Sequence, residues 1–308
     1  MIEVLGLSKS FGTLRALDQV TFQVNRGEIV GFLGANGAGK TTTMDIMCGC
    51  IGADAGTVKI CGYEIAESPV EAKRNIGYLP DIPPLHLEMF VEDYISYSAR
   101  LRGVPKNQLK AKVANVVEKL SLGEVRRRMI GNLSKGFRQR VALSQAIVHE
   151  PAVLVLDEPT EGLDPNQIAQ IRELIKSLAG DHTIILSSHI LSEVQNICQK
   201  IIIIHKGKIE RQGTYEDLVQ TLEAGEFYRL RVAKRDEAIL PSLRSVAGVQ
   251  KLAWTGPEEP EIEFALTETN GTDSLNELCL KVIQSGIGIR ELSKKTHSLE
   301  EVFMQITN

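Results

Sequence analysis

Residues 29–43 read IVGFLGANGAGKTTT. An apolar run gives way to three glycines, a lysine and three threonines, and the following KTTTMDIMCGC has a helical pattern that stops at a glycine. This order predicts a strand, a glycine-rich loop and a helix. Strand, loop and helix in that order form the arrangement that a phosphate-binding site requires.

The loop from Gly34 to Thr41 matches the pattern G-x-x-x-x-G-K-[ST]. Glycines allow backbone angles and close approaches that a Cβ would block, so successive N–H groups can converge on phosphate oxygens. We expect Lys40 to reach the β- and γ-phosphates, Thr41 to ligate Mg²⁺ and Thr42 to donate to the α-phosphate. The predicted phosphate-binding residues are Gly34, Ala35, Asn36, Gly37, Ala38, Gly39, Lys40, Thr41 and Thr42. The loop alone leaves kinase, GTPase and ATPase open.

A pair of acids ends a second buried strand, AVLVLDEP, at residues 152–159. Asp157 suits a direct or second-sphere role toward Mg²⁺, and Glu158 can take a proton from an attacking water. An isolated Asp-Glu pair is more often just the polar end of a strand. Beside a phosphate-binding loop, the catalytic interpretation is favoured.

Composition narrows the class of protein. The 308 residues are 43% hydrophobic, enough for one large domain and a smaller one, and the net charge of -4 gives no positive field that would attract nucleic acid. Five scattered cysteines, without the spacing of a zinc or redox site, fit a reducing compartment. No leader pattern and no apolar run of eighteen residues is visible, so we expect a cytoplasmic protein that reaches a membrane only through another chain.

The pattern along the chain predicts two domains, 1–221 and 222–308. Alternating apolar strands and an amphipathic helix predict a parallel α/β sheet in the first, with a helical insertion at about 84–132 and a hairpin turning at Lys206-Gly207. The second has the order β-α-β-β-α-β of a ferredoxin-like unit, followed by a last helix from Leu299 to Ile306.

Further motifs follow the glycine loop: LSKGFRQR at 133–140, LVLDEPTEGLDP at 154–165 and SSH at 187–189. With GANGAGKTT, they resemble the nucleotide-binding subunit of ABC transporters over about the first 220 residues. The resemblance implies a P-loop NTPase of the α/β class, with a parallel core sheet, an antiparallel β subdomain and an inserted helical subdomain. It also implies ATP and Mg²⁺ as ligands.

The same resemblance implies roles for residues outside the loop. Phe11 is similar to the aromatic residue on which adenine stacks. Asp164 lies in the loop that crosses the dimer interface, and His189 resembles the switch histidine that contacts the γ-phosphate and positions the catalytic carboxylate. The signature that caps the ATP of the opposite subunit corresponds to Ser134, Lys135, Gly136 and Phe137.

Three positions depart from the family pattern. Lys135 replaces a glycine and Phe137 replaces a glutamine, while Ser134 and Gly136 are kept, so we expect the signature to function. Asp81, in IGYLPDIPPL, stands where most of the family has a glutamine that ligates Mg²⁺. Its shorter arm makes water-mediated contact with the metal an alternative to direct ligation.

The strings LSKGFRQR and HSLEEVFMQIT, with the acid after GYLP, resemble the ABC-2 type exporter ATPases. The resemblance implies an integral-membrane permease subunit as partner, a homodimer or a paired ATPase subunit, a peripheral location on the inner face of the membrane, and no nucleic acid. An alternative is a soluble ABC ATPase acting on a ribosome or nucleic acid. A GTPase is disfavoured because the N-K-x-D string is absent. Residues 222–308 are interpreted as a packing and dimerisation element, with a small-ligand sensor as the alternative.

Overall fold

The computed structural model describes residues 1–220, 226–256, 260–267, 271–295 and 303–304. The chain divides into two compact units, Met1–Tyr215 and Glu216–Gln305. The strands of the first unit are β1 Ile2–Phe11, β2 Leu14–Val24, β3 Ile29–Leu33, β4 Ala55–Ile60, β5 Tyr63–Glu64, β6 Ile76–Leu79, β7 Val153–Leu156, β8 Thr183–Ser188, β9 Lys200–His205 and β10 Lys208–Gly213. Its helices are α1 Lys40–Met47, α2 Pro69–Arg74, α3 Val91–Leu101, α4 Lys106–Lys119, α5 Lys135–Ile147, α6 Pro165–Leu178 and α7 Leu191–Ile197.

The core of the first unit is a six-stranded sheet in the order β10-β9-β3-β8-β7-β6. All neighbouring strands are parallel except β9 and β10, which form the predicted hairpin. β3, β7 and β8 are buried along their whole length, because both faces of the sheet are covered. β3 lies between β8 and β9, so the glycine loop emerges from the interior of the sheet.

A second, antiparallel sheet has the order β2-β1-β4-β5. Its inward residues, including Val4 and Phe22, share one hydrophobic core with α1 and the inner residues of β3. The rings of Phe22 and Phe32 lie 5.4 Å apart between the two sheets. The shared core fixes α1 on β3, and therefore fixes the loop between them.

The predicted helical insertion is built from α3 and α4, and α5 packs against α3. Val113, Val116 and Val117 form the buried face of α4. The hydroxyl of Tyr94 on α3 donates to Gln145 Oε1 of α5 at 2.5 Å. Among the described residues, no helix has both the length and the apolar character needed to cross a bilayer.

The second unit has the predicted order of strands and helices. After α8, Tyr215–Gln220, come β11 Glu226–Val232, α9 Leu240–Arg244, β12 Val249–Trp254, β13 Glu261–Leu266, α10 Gly271–Gln284 and β14 Ile289–Lys295. The sheet order β12-β13-β11-β14, antiparallel throughout, is that of a ferredoxin-like unit, and its core includes Phe264, Leu278 and Val282. The predicted helix Leu299–Ile306 lies outside the described residues apart from Phe303 and Met304, which are helical.

Candidate nucleotide-binding and catalytic site

The glycine loop joins β3 to α1 and has a backbone that requires glycine. Gly39, the residue before α1, has φ 109°, and a Cβ at this position would lie 2.7 Å from Leu17 Cδ2. The turn of the β9–β10 hairpin supports the loop from the side, because the Gly207 N–H donates to the Ala38 carbonyl at 2.9 Å. The Gly207 carbonyl accepts from the Asp18 N–H at 2.8 Å. The loop is therefore held between β2 and the hairpin turn.

Lys40 lies in the curve of this loop and is 6% exposed. Its ammonium donates to the Gly34 carbonyl at 2.9 Å, and its Nζ lies 3.2 Å from Glu158 Oε1. The loop thus directs the lysine toward the carboxyl end of β7. This is the position from which a lysine can contact a phosphate bound by the loop amides.

Glu158 is held by contacts at both its backbone and its side chain. Its φ is 45°, in the left-handed region that non-glycine residues rarely adopt, and its N–H donates to the Ser187 hydroxyl at 2.8 Å. Its Oε2 lies 2.9 Å from His189 Nδ1. Because β7 and β8 are adjacent, their ends bring together two residues that are 31 positions apart. Glu158 therefore lies between Lys40 and His189.

Asp157 is completely buried. The Ser187 hydroxyl donates to its Oδ1 at 2.5 Å, whereas its Oδ2 has no hydrogen-bond partner among the described residues. Burial raises the pKa of Asp157, and hydrogen bonds from Ser187 and Thr41 oppose that shift. A buried carboxylate oxygen without a partner, close to a hydroxyl, suits a hard cation that prefers oxygen ligands. Thr41 and Asp157 would hold Mg²⁺ here, as the sequence predicts.

Asp81 follows β6, the neighbour of β7, and is exposed. A hydrogen bond with Asp81 raises the pKa of Glu161, and the charges of Asp81 and Glu158 raise it further. Asp81 also raises the pKa of Asp157 through its charge. Asp81 therefore lies at the edge of the acidic group, beside an acid that the sequence analysis did not include, and its role as a ligand stays a prediction.

The predicted signature begins helix α5. Ser134 is the N-cap, and its hydroxyl oxygen accepts from the Phe137 N–H at 3.4 Å. Asp164 caps α6 in the same way by accepting from the Gln167 N–H at 2.9 Å. Both helix starts line one open cavity of about 320 Å³, which is formed by Ser134, Gly136, Phe137, Arg140, Asp164, Asn166, Gln167, Gln170 and Ile171.

Two other predicted residues have distinct surroundings. The Lys135 side chain lies against the loop before α6. Its Nζ occupies the space beside Gly162, where a Cβ on that glycine would lie only 2.0 Å away. Phe11, at the end of β1, is 51% exposed, and Lys9 Nζ lies 5.6 Å from its ring centroid. An exposed ring at this place is compatible with stacking on a base.

The predicted site residues thus lie in two separate groups in the structure. Lys40, Thr41, Asp157, Glu158 and His189 are linked by the contacts above, whereas the signature and Asp164 line a cavity to which no residue of the glycine loop contributes among the described residues.

For several residues that support these groups, the sequence motifs predict no role. Ser187 bonds both Asp157 and Glu158, and Gln139 Nε2 donates to the Pro159 carbonyl at 2.8 Å. Ser187 was visible within the SSH string, but its two partners are 29 and 30 positions away in sequence.

Comparison with known proteins agrees with this arrangement. The family model described as ABC transporter matches residues 17–161. Over its whole length, the chain is 30% identical to all of the uncharacterized ABC transporter ATP-binding protein YxlF of Bacillus subtilis. The chain belongs to the ABC transporter ATP-binding proteins.

Further relatives of this ABC protein include LnrL of Bacillus subtilis, the linearmycin resistance ATP-binding protein, which is 29% identical over 100% of the chain and 98% of LnrL. A solved structure of the ATP-binding subunit of an ABC transporter superposes with a TM-score of 0.66 at 31% identity, and the match covers 72% of the chain and 92% of that subunit. The chain is therefore an ATP-binding cassette ATPase with a P-loop NTPase fold.

Proposed function

We propose that this chain is the ATP-hydrolysing subunit of an ABC-2 type exporter, in which two cassettes close around ATP and drive a membrane permease. The observation that carries the hydrolytic part of the proposal is the contact of one carboxylate, Glu158, with both Lys40 and His189. These three groups are the phosphate contact, the general base and the switch histidine that the sequence predicts. The alternative partner, a ribosome or nucleic acid, has no observation in its favour.

The contacts of Glu158 suit it to act as the general base. A γ-phosphate beside Lys40 competes with Glu158 for the ammonium, which leaves the carboxylate to accept a proton from water. The water oxygen then bonds to the γ-phosphorus as the bond to the β-phosphate oxygen breaks, and ADP leaves. His189 holds Oε2 at 2.9 Å and so fixes the direction of the carboxylate. Mg²⁺ held by Thr41 and Asp157 would offset the phosphate charge.

Separation of the signature from the glycine loop supports a dimer. The N-terminus of α5 is capped by Ser134 and opens on the cavity it shares with Asp164. In the proposed dimer, this helix end caps the γ-phosphate that the second cassette binds. Hydrolysis removes the charge that joins the two copies, so it releases the sandwich.

The helical insertion supplies a surface for the permease. We define the lobe patch as Leu87, Phe90, Tyr97 and Met129, each between 39% and 47% exposed. Phe90 and Met129 pair through a β-bridge, which makes part of the patch contiguous. Apolar side chains held on a surface in this way are typical of a protein interface. The resistance function in the name of LnrL supports an export permease as the partner.

Two measurements test the proposal. The tagged chain, purified in detergent from its own cells, should bring an integral-membrane protein with it. Nucleotide binding by the purified protein should be lost in Lys40→Ala and kept in Lys176→Ala, which removes an exposed lysine of α6. Recovery with ribosomes and without a membrane protein would contradict the exporter. Equal ATP affinity in both variants would contradict the nucleotide site.

A further inference from the structure

Glu193, in the first turn of α7, is a buried acid to which the sequence assigned no role. It is 5% exposed, and its Oε2 accepts hydrogen bonds from Thr160 Oγ1 at 2.5 Å and from Ser188 Oγ at 3.2 Å. Both hydroxyls are buried as well, at 3% and 1% exposure. One carboxylate oxygen therefore accepts from two donors on residues that are almost fully buried.

The two hydroxyls belong to two different functional loops. Thr160 follows Glu158 by two residues and opens the loop that leads to Asp164, the N-cap of α6. Ser188 is the residue before His189, at the end of β8. Glu193 thus joins the loop after the predicted base to the loop of the predicted switch histidine.

These contacts close a ring. His189 Nδ1 lies 2.9 Å from Glu158 Oε2 on one side, and Glu193 bonds Thr160 and Ser188 on the other. A ring closed at both ends restricts the relative movement of its two loops more than one contact does. Glu193 thus joins the two loops without a hydrogen bond to Glu158 or His189 among the described residues.

The chemistry of residue 193 matters because the site has two donors and requires an acceptor. An ionised carboxylate only accepts, and it forms stronger hydrogen bonds than a neutral acceptor. A buried charge is costly, and Glu193 Oε1 has no hydrogen-bond partner among the described residues. An apolar side chain would avoid that cost but would leave the Thr160 hydroxyl without an acceptor and the Ser188 hydroxyl with only the Ile190 carbonyl at 3.5 Å.

We propose that Glu193 is a positioning residue: it fixes the loops of Glu158 and His189 relative to each other, in the arrangement that hydrolysis requires. This inference rests on the proposed function, because it assigns Glu193 to the same reaction. Glu193 does not touch the glycine loop through any of these hydrogen bonds, so its loss should change turnover and leave nucleotide affinity nearly unchanged.

Two substitutions of similar length isolate the acceptor. Glu193→Gln keeps an amide oxygen that can accept from both hydroxyls, whereas Glu193→Met has no such oxygen. We expect Glu193→Met to lower kcat by about 10- to 10²-fold, the effect of a misplaced catalytic group, with the Kd for a non-hydrolysable ATP analogue within about threefold. Glu193→Gln should stay within about threefold of the wild-type kcat.

A structural role alone would not reproduce the coupling to His189. In the His189→Ala background there is no imidazole for Glu193 to position. Glu193→Met should therefore lower kcat by no more than about twofold in that background. A full further loss in that background, or a folded Glu193→Met protein with wild-type kcat, overturns the proposal. If Glu193→Met does not fold, the double variant Thr160→Val and Ser188→Ala removes both donors and carries the same expectations.

A readout independent of hydrolysis separates this inference from the proposed function. The ring-nitrogen resonances of His189, identified by their loss in His189→Ala, should move in Glu193→Met and stay in place in Glu193→Gln. Unmoved resonances in both variants overturn the positioning role. If Glu158→Gln turns over ATP normally, the assignment of Glu158 as the base fails. The His189 resonances still decide whether Glu193 positions the His189 loop.

Discussion

Lys40 Nζ lies 3.2 Å from Glu158 Oε1, and both side chains are at least nine-tenths buried. The pair joins the loop after β3 to the end of β7, which lies two strands away in the sheet. A buried ion pair of this kind is poor evidence for stability, because desolvation offsets the attraction between its charges. Its significance is functional: the group predicted to hold phosphate and the group predicted to take a proton are neighbours.

Replacing Glu158 by glutamine should abolish most turnover. The amide keeps the shape of the side chain but cannot take a proton, so we expect kcat to fall by about 10²- to 10⁴-fold while ATP still binds. Phosphate release at saturating ATP measures the effect. Glu173→Gln, on the exposed face of α6, should behave as wild type. Near-normal turnover in Glu158→Gln would remove Glu158 from the mechanism.

Alanine at two glycines of the same loop should differ in its effect on stability. Gly37 has φ 78° with open space around its Cβ position, so Gly37→Ala should cost about 1 kcal/mol of unfolding free energy through backbone strain alone. Gly39→Ala adds contacts of 2.7 Å with Leu17 Cδ2 and 2.9 Å with the Ala16 carbonyl, so the cost should reach about 3 kcal/mol or more. Urea unfolding without nucleotide compares the two. Equal losses would mean that the space beside Gly39 plays no part.

The pH dependence of stability should show the burial of His149. Burial lowers the pKa of His149 to about 4, and its Nε2 lies 3.0 Å from the Ile76 carbonyl. A histidine with a depressed folded pKa stabilises the protein above its unfolded pKa of about 6.5 and loses that contribution as pH falls toward 4. Compared with His149→Gln, the wild type should therefore lose up to about 3 kcal/mol more stability between pH 7 and pH 4.

Urea midpoints of both proteins across this range measure the difference. His86→Gln, at an exposed histidine, serves as the control and should follow the wild type. Parallel curves for His149→Gln and wild type would show that His149 titrates normally in the folded protein.

A charge in the lobe patch should separate the subunit from its permease. Phe90→Glu places a carboxylate among exposed apolar side chains, so the recovery of the membrane protein with the tagged chain should fall by about tenfold or more. Phosphate release by the purified chain alone should be unchanged, since the patch lies outside the catalytic group. Val70→Glu, at an exposed apolar residue of α2, is the matched control. Equal loss in both variants would point to a general defect in folding or expression.

Local sequence signals were sufficient for much of the fold. The glycine loop, the continuous apolar strands β3, β7 and β8, and the turn at Lys206-Gly207 each occupy a few adjacent residues, and each element formed where it was predicted. The order of strands and helices in the second unit could also be predicted, because its apolar residues alternate in the strands and follow helical spacing in the helices. Short elements such as β6, with four residues, and β5, with two, gave no distinct periodic signal.

Contacts between distant residues could not be read in the same way. Ser187 bonds Asp157 and Glu158 only because β7 and β8 are adjacent, and Glu193 meets Thr160 across 33 positions of sequence. Motif order selected the candidate residues for the chemistry, but the hydroxyls and the carboxylate that contact them or their loops are ordinary polar residues in sequence. The pairing of Asp81 with Glu161 likewise needs the proximity of two strand ends.

The hairpin turn at Gly207, which bonds both Ala38 and Asp18, gives the protein an order of assembly. The glycine loop occupies residues that are translated early, yet both neighbours of β3 in the sheet and this turn come more than 140 positions later. A chain growing on the ribosome therefore cannot complete its nucleotide pocket until synthesis has passed residue 207. Premature termination before that point yields a product that contains the whole P-loop motif but lacks the scaffold that shapes it.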